Sequence, residues 1–404
     1  MIINLSHTLY NVCDIMNKLG VKIMTRNERE LGKKKTFHSY YDYSLLFLVL
    51  FLAGFGLIMI YSTSSYNASI HYNDPTKFLK RQALSVGIGI LAMIAASRVD
   101  YHWFIKPLPG IRVKPVTLLY ILCVFFQILV LFVGQEINGA KRWIPIPFLG
   151  TFQPSELSKV ATILYVAYIV QLSPKRLNKF SGFIRVFIYL LPLLGFIVIE
   201  NLSTAIVIAG IIVAICFVAS RKKWYYGAVG IAGGLGVAAF IAFESFRATR
   251  FVVWLNVETH PLGYQILQGL YAIASGGLFG VGLGKSMQKL GFIPESHNDM
   301  IFSVICEELG LFGATLLILV FVFVVWRLFI IAISAPDLFG GLICVGILAH
   351  IAIQVIINIA VVTNSIPSTG IPLPFISYGG TSVTILLAEM GLALGVSNRI
   401  KYER

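Results

Sequence analysis

Charge is what this chain has least of: only 12% of its 404 residues are charged, and only 18 are acidic. Soluble domains carry roughly 25%, so a soluble globular protein is excluded. Five cysteines (Cys13, Cys123, Cys216, Cys306, Cys344) are scattered, mostly within apolar runs. That spacing gives neither a disulfide framework nor a structural metal site. A nucleotide-cradling loop is also missing. "GLFGVGLGKS" (residues 277–286) ends in Gly-Lys-Ser, but the position five before Gly284 is Phe279 where a phosphate loop needs glycine.

What the chain has in abundance is apolar sequence, with 57% hydrophobic residues and a mean hydropathy of +0.83. Ten runs approach the roughly 20 residues needed to cross a bilayer: 43–61, 83–97, 115–133, 156–172, 183–199, 202–219, 224–243, 309–332, 339–362 and 383–397. Helices are the only reading at these lengths, so the expected fold is an all-α integral membrane protein of ten transmembrane helices. Lysines and arginines number 22 in the odd-numbered connecting segments, counted from the N-terminal tail, against 9 in the others. By the positive-inside rule both termini are cytoplasmic. The net charge of +14 is then a topology signal that faces anionic lipid and does not argue for nucleic acid. Residues 1–42 read as a retained cytoplasmic extension, 43–398 as the transmembrane domain and 399–404 as a cytoplasmic tail.

Polar residues collect on the opposite side. The longest connection, 244–300, lies between the seventh and eighth runs, and its residues 266–284 are apolar enough to suggest an eleventh crossing. Six glycines within it (269, 276, 277, 280, 282, 284) would weaken a lone helix, and a crossing would turn Arg327 and the C-terminal tail outward. The expectation is a re-entrant or cavity-lining segment, since irregular backbone at membrane depth survives where protein covers it. The same face carries residues 138–159 and the proline- and glycine-rich 363–382, so a concave extracytoplasmic site is expected.

"NGAKRWI" (138–144), "QPSELSK" (153–159), "GYQ" (263–265), "SGGLFGVGLGKS" (275–286), "PESHND" (294–299), "EELG" (307–310) and "GIPLPFISYGG" (370–380) occur in an order that resembles the SEDS family, the bacterial cell-wall glycosyltransferases represented by FtsW, RodA and SpoVE. Residues 280–295 and the N-terminal extension look more like FtsW than RodA. The resemblance implies a ten-helix enzyme that polymerises lipid II on the outer face of the cytoplasmic membrane, at the division septum if FtsW-like. It implies a class B penicillin-binding protein and other divisome proteins as partners. Where the family usually has Pro-Asp-Leu-Gly-Thr, this chain has Glu200-Asn201-Leu202-Ser203-Thr204, so the carboxylate at that aspartate's position is lost to Asn201.

The implied reaction joins a sugar hydroxyl to an anomeric carbon and expels a lipid pyrophosphate. A hydroxyl needs a general base, a contribution of roughly 10²- to 10⁴-fold. The resemblance places the family's essential aspartate at Asp299, which also stands where it can cap the eighth helix. A pyrophosphate calls for Arg or Lys, so Arg247, Arg250, Lys285 and Lys289 are candidate ligands, with lipid-head-group contact as the alternative. Glu156 and Lys159 form either an ion pair or a substrate contact. Gln265 and Gln268 are candidates for sugar hydroxyls, and Tyr378 belongs to a loop that either plugs the cavity or touches substrate. Glu295 and His297 flank Asp299, Lys141 and Arg142 support the outer face, and Glu307 and Glu308 are either a structural pair or ligands of a cation. A divalent cation, Mg or Mn, is an expectation from the phosphate chemistry alone. The rivals are a lipid II flippase or proton-coupled transporter and a scaffold. No repeat between halves supports the first, and acids gathered toward the outer face are expected in place of a relay through the core.

Overall fold

Several helices begin where a capping or ring-constrained residue meets an apolar run. In the computed structural model, which describes residues 37–110, 112–137, 140–146, 150–242 and 245–403, the order is β1 (Phe37–Ser39), α1 (Tyr43–Tyr72), α2 (Lys77–Arg98), α3 (Pro115–Val133), β2 (Gln135–Ile137), β3 (Ala140–Ile146), β4 (Gly150–Phe152), α4 (Pro154–Leu172), α5 (Phe180–Glu200), α6 (Leu202–Ala219), α7 (Trp224–Ala242), α8 (Ser245–Leu255), α9 (Tyr264–Ser275), α10 (Ile301–Ser334), α11 (Leu338–Val362), α12 (Gly380–Ser397) and β5 (Lys401–Glu403). Asp42 accepts from Leu45 N at 2.9 Å and Asp337 from Gly340 N at 2.9 Å, capping α1 and α11. Pro115 and Pro154 open α3 and α4, where a missing N–H costs nothing.

Among the described residues, α1, α2, α3, α5, α6, α10, α11 and α12 are long and apolar enough to cross a membrane. Helices α4 and α7 occupy the fourth and seventh expected runs, and α4 carries the buried Glu156 and Lys159 in its first two turns. The stretch expected as one long loop, 244–300, differs from that reading: it holds α8 and α9. The eighth run also starts earlier than its hydropathy suggests, at Ile301, because the polar Glu307 and Glu308 are inside the helix and buried.

Lipid tails are as apolar as leucine, so helices in a bilayer associate through close packing. Helices α2 and α12 do so through small residues. A Cβ added at Gly89 would lie 2.6 Å from Leu387 Cδ1, and one at Gly391 would lie 2.8 Å from Ala96 Cβ. Large apolar side chains such as Phe132, Leu91 and Leu191 point outward instead, each more than 60% exposed, as a lipid-facing surface requires.

The chain's described ends meet at one end of the bundle. Strands β1 and β5 pair antiparallel, Phe37 opposite Glu403, and Arg327 Nη2 donates to Asp42 Oδ2 at 2.8 Å beside them. A surface groove of about 580 Å³ between Tyr43, Phe47, Phe323 and Trp326 lies at this end. The three-stranded sheet β2-β3-β4, α8, α9 and residues 363–379 gather at the other.

Candidate active site

Asp299 sits in the turn that leads into α10 and is half-buried. Burial, with the Glu295 carboxylate adding, pushes it up to about 6, against the pull of Arg250 and of the N–H groups of Asp299 and Met300. Its main chain is clamped: Asn358 Nδ2, from α11, donates to Asp299 O at 2.8 Å and to Ile371 O at 2.8 Å. One amide therefore ties the turn to the loop that precedes α12. Gly370 of that loop faces the carboxylate, with a Cβ built there 3.9 Å from Oδ2. Asn358 was missed in the sequence because one amide in an apolar run gives no pattern.

Arg250 comes to the same place from α8. Its Nη1 donates to Ser368 O at 3.2 Å, and Trp254 Nε1, one turn on, donates to Asn364 O at 2.9 Å. The side chain of Arg247 lies outside the described residues. Glu295 holds a left-handed backbone (φ 47°) and its Oε2 accepts from Asn298 Nδ2 at 2.7 Å. His297 is 7% exposed, and burial keeps its pKa low. Its ring lies between Phe78 and Tyr378, with centroids 4.6 and 5.4 Å away, so it packs against rings and makes no described hydrogen bond to Asp299. Burial also raises the Tyr378 phenol, with Arg81 pulling the other way. Phe78 carries no signal in the sequence, and Arg81 enters there only through the count of lysines and arginines.

The glycine segment turns out to be pinned to a broken helix. Gly310 (φ 68°, ψ −172°) interrupts α10, and the backbone groups it frees are taken by residues 277–282. Val281 N donates to Glu307 O at 2.9 Å, Gly282 N to Glu308 O at 3.0 Å, Leu311 N to Gly277 O at 2.9 Å and Phe312 N to Leu278 O at 3.0 Å. Backbone runs against backbone here, and a side chain on Gly280 or Gly310 would strike the opposing main chain. Both acids serve this docking. Glu307 accepts from Ser286 Oγ and, at 2.9 Å, from Met287 N. Glu308 takes the buried Lys289 ammonium at 2.7 Å and Ser62 Oγ at 2.7 Å. Lys289, expected among the substrate ligands, is thus turned into the protein, and Lys285 stays exposed. No cluster of His, Cys, Asp or Glu with metal-holding geometry occurs among the described residues, and neither Glu307 nor Glu308 has a described bond to Asp299.

On the far side of residues 370–372 is a cavity of about 60 Å³, bordered by Arg142, Glu156, Lys159, Asn201 and Gln354. Glu156 Oε1 pairs with Lys159 Nζ at 2.9 Å within α4. Ser382 Oγ, from α12, donates to Glu156 Oε2 at 2.8 Å. Arg142 Nε donates to Glu200 O at 3.0 Å, closing the end of α5, while Lys141 is exposed on β3. Asn201, in the departure from the family pattern, accepts from Thr204 N at 3.2 Å and caps α6. Gln265 Nε2 reaches Pro294 O at 3.4 Å, and Gln268 is half-buried on the same helix, α9. Contrary to the expectation that acids keep to the outer face, Glu389 and His350 form a pair inside the bundle, 2.9 Å apart.

The profile of the cell cycle protein family that groups FtsW, RodA and SpoVE matches residues 43–402. The chain is 41% identical to stage V sporulation protein E of Bacillus subtilis (strain 168), over 89% of this chain and 98% of that protein. It is 36% identical to the probable peptidoglycan glycosyltransferase FtsW of Trichlorobacter lovleyi, over 89% and 94%. Among solved structures, it resembles a chain of a peptidoglycan synthase complex in which polymerization and crosslinking are structurally coordinated, with a TM-score of 0.73, 27% identity and coverage of 89% and 98%. The rod shape determining protein RodA of Thermus thermophilus gives a TM-score of 0.64 at 27% identity, over 89% and 97%.

Proposed function

This chain belongs to the FtsW, RodA and SpoVE family, and from that premise we propose that it polymerises lipid II on the outer face of the cytoplasmic membrane, with Asp299 as the general base. It is a multi-pass membrane protein and a peptidoglycan glycosyltransferase. The observation that carries the assignment of the base is the Asp299 carboxyl itself: it is held by its main chain and raised to about 6. A general base works best with a pKa near the working pH. As a carboxylate it takes the proton of the acceptor sugar's hydroxyl while that oxygen attacks the anomeric carbon of the donor. The bond to the lipid pyrophosphate breaks in the same displacement, and the leaving diphosphate carries away the negative charge. Arg250 lies where it answers that charge, and Arg247 and Lys285 are the further cations of the same face. Gln265, Gln268 and Tyr378 are assigned to sugar hydroxyls in this reading. Glu156 and Lys159 shape the cavity, and Lys289, Glu307 and Glu308 hold the glycine segment in place.

Ten membrane spans with both termini in the cytoplasm fit the pairing of β1 with β5 and the lysine and arginine count. A class B penicillin-binding protein that cross-links the new glycan is the expected partner, alongside other divisome proteins at the septum. The 41% identity to the sporulation protein favours a second reading of the setting, in which the same chemistry serves the spore wall; a fluorescent fusion found at midcell or at the forespore separates the two. A divalent cation beside the pyrophosphate is a further proposal, dropped if chelator leaves the rate unchanged. The chemistry is tested by giving lipid II to the purified chain and its class B partner, with a β-lactam to stop cross-linking. A ladder of glycan strands is expected, and a folded complex that makes none would point to a transporter or scaffold.

A further inference from the structure

A polar chain runs from the outer cavity into the apolar middle of the bundle and ends on two residues that the proposed chemistry does not use. Lys159 Nζ, already paired with Glu156, donates to Gln354 Oε1 at 3.3 Å. The same oxygen lies 2.8 Å from His350 Nε2, and His350 Nδ1 lies 2.9 Å from both oxygens of Glu389. His350 is 1% exposed and Glu389 0%. Each stands near the middle of its helix, roughly 18 Å from either end of α11 and roughly 13 Å from either end of α12 at 1.5 Å per residue.

The hydrogens can be assigned from the donors and acceptors. Gln354 Nε2 donates to Pro372 O at 2.9 Å, a bond only the amide nitrogen can make, so Oε1 is the atom turned toward Lys159 and His350. An oxygen of this kind only accepts, so His350 Nε2 carries hydrogen. One proton then lies between Nδ1 and Glu389, on the nitrogen or on the carboxyl, and the pair is neutral as a unit in both cases. That neutrality is what the interior of a membrane protein admits at low cost. Replacing a buried pair by apolar residues is often neutral or stabilising, so stability does not account for it. Its bond to Gln354 does.

We propose that His350 and Glu389 are positioning residues for the active site. They fix the amide plane of Gln354, which holds Lys159 through its oxygen and the Pro372 carbonyl through its nitrogen. Pro372 belongs to the loop that places Gly370 against Asp299 and is clamped to it by Asn358. The inference rests on the polymerase reading above.

The test uses the full chain with its class B partner and lipid II. In Glu389→Gln the new amide donates to bare Nδ1 and leaves the Nε2 hydrogen on Gln354, so every bond survives. Its rate stays within about twofold of native, whereas Glu389→Leu and His350→Leu cut kcat roughly ten- to a hundredfold with KM for lipid II little changed. Gln354→Met loses a similar factor, and combining it with Glu389→Leu costs no more than the worse single change, as residues acting through one path should. Should Glu389→Leu fail to fold, the contrast between Glu389→Gln and Gln354→Met decides. A Glu389→Leu or Gln354→Met enzyme at native rate overturns the proposal. So does a Glu389→Gln enzyme as slow as Glu389→Leu, which would make the pair a proton-transfer site. If the native complex makes no glycan, the polymerase reading fails and takes this inference with it; if only the variants behave wrongly, that reading stands.

Discussion

At the scale of single residues, the proposed chemistry depends on how the protein holds Asp299. A base at about 6 works only when deprotonated, so the polymerisation rate should fall as pH drops through 6 and level off above it. Arg250 favours the carboxylate, so Arg250→Gln should move that acid limb to higher pH, besides weakening the grip on the diphosphate. An acid limb that stays fixed, read from initial rates across pH 5 to 8, would show that Arg250 does not act on this carboxyl. Asp299 could be singled out in the sequence because it lies in a recognisable motif, and its place at the start of α10 agrees with the expected helix boundary. Asn358, which holds its main chain, and the Glu389 and His350 pair were not, because each is a single polar group in an apolar run. Their partners are brought together only by helix packing, across 59 and 39 positions of chain.

At the scale of elements, the instructive piece is the break in α10. The sequence shows that residues 266–284 are too rich in glycine for a lone crossing helix; in the structure the first part of that range belongs to α9, and the irregular backbone of 277–282 bonds to α10 while Leu278 and Phe279 stay exposed. What the sequence does not show is the helix that this backbone bonds to. The apolar eighth run starts at 309, just after the two acids Glu307 and Glu308. Once both are buried by Ser286, Met287, Lys289 and Ser62, the helix extends back to Ile301 and breaks at Gly310 to accept the segment. Gly310→Val places a branched side chain at φ 68° and against Leu278 and Gly280. It should destabilise the fold by more than the 1–3 kcal/mol or so of backbone strain alone, seen as a lower midpoint in thermal unfolding of the detergent-solubilised protein. Lys289→Met would leave Glu308 buried without its cation, a loss of about 3–5 kcal/mol. Lys285→Met, at an exposed position, should leave the midpoint where it is.

At the scale of the whole molecule, hydropathy gives the helical bundle, because a bilayer enforces it, and the placement of lysine and arginine gives the proposed orientation. The two helices inside 244–300 escaped that reading, since α8 and α9 are too short to be marked by length. The orientation predicts that, in a background without reactive cysteines, Glu258→Cys is labelled by a membrane-impermeant maleimide added outside intact cells, and Lys401→Cys only after the membrane is opened; the reverse would invert the topology. The central claim, that a carboxylate on this outer face makes glycan, is tested most directly by Asp299→Asn. The variant should keep its fold and bind both its class B partner and lipid II, while the glycan ladder of the native complex drops by roughly 10² or more, the scale of a lost general base. A ladder of undiminished intensity from Asp299→Asn would contradict the account and send the search for the base elsewhere on the same face.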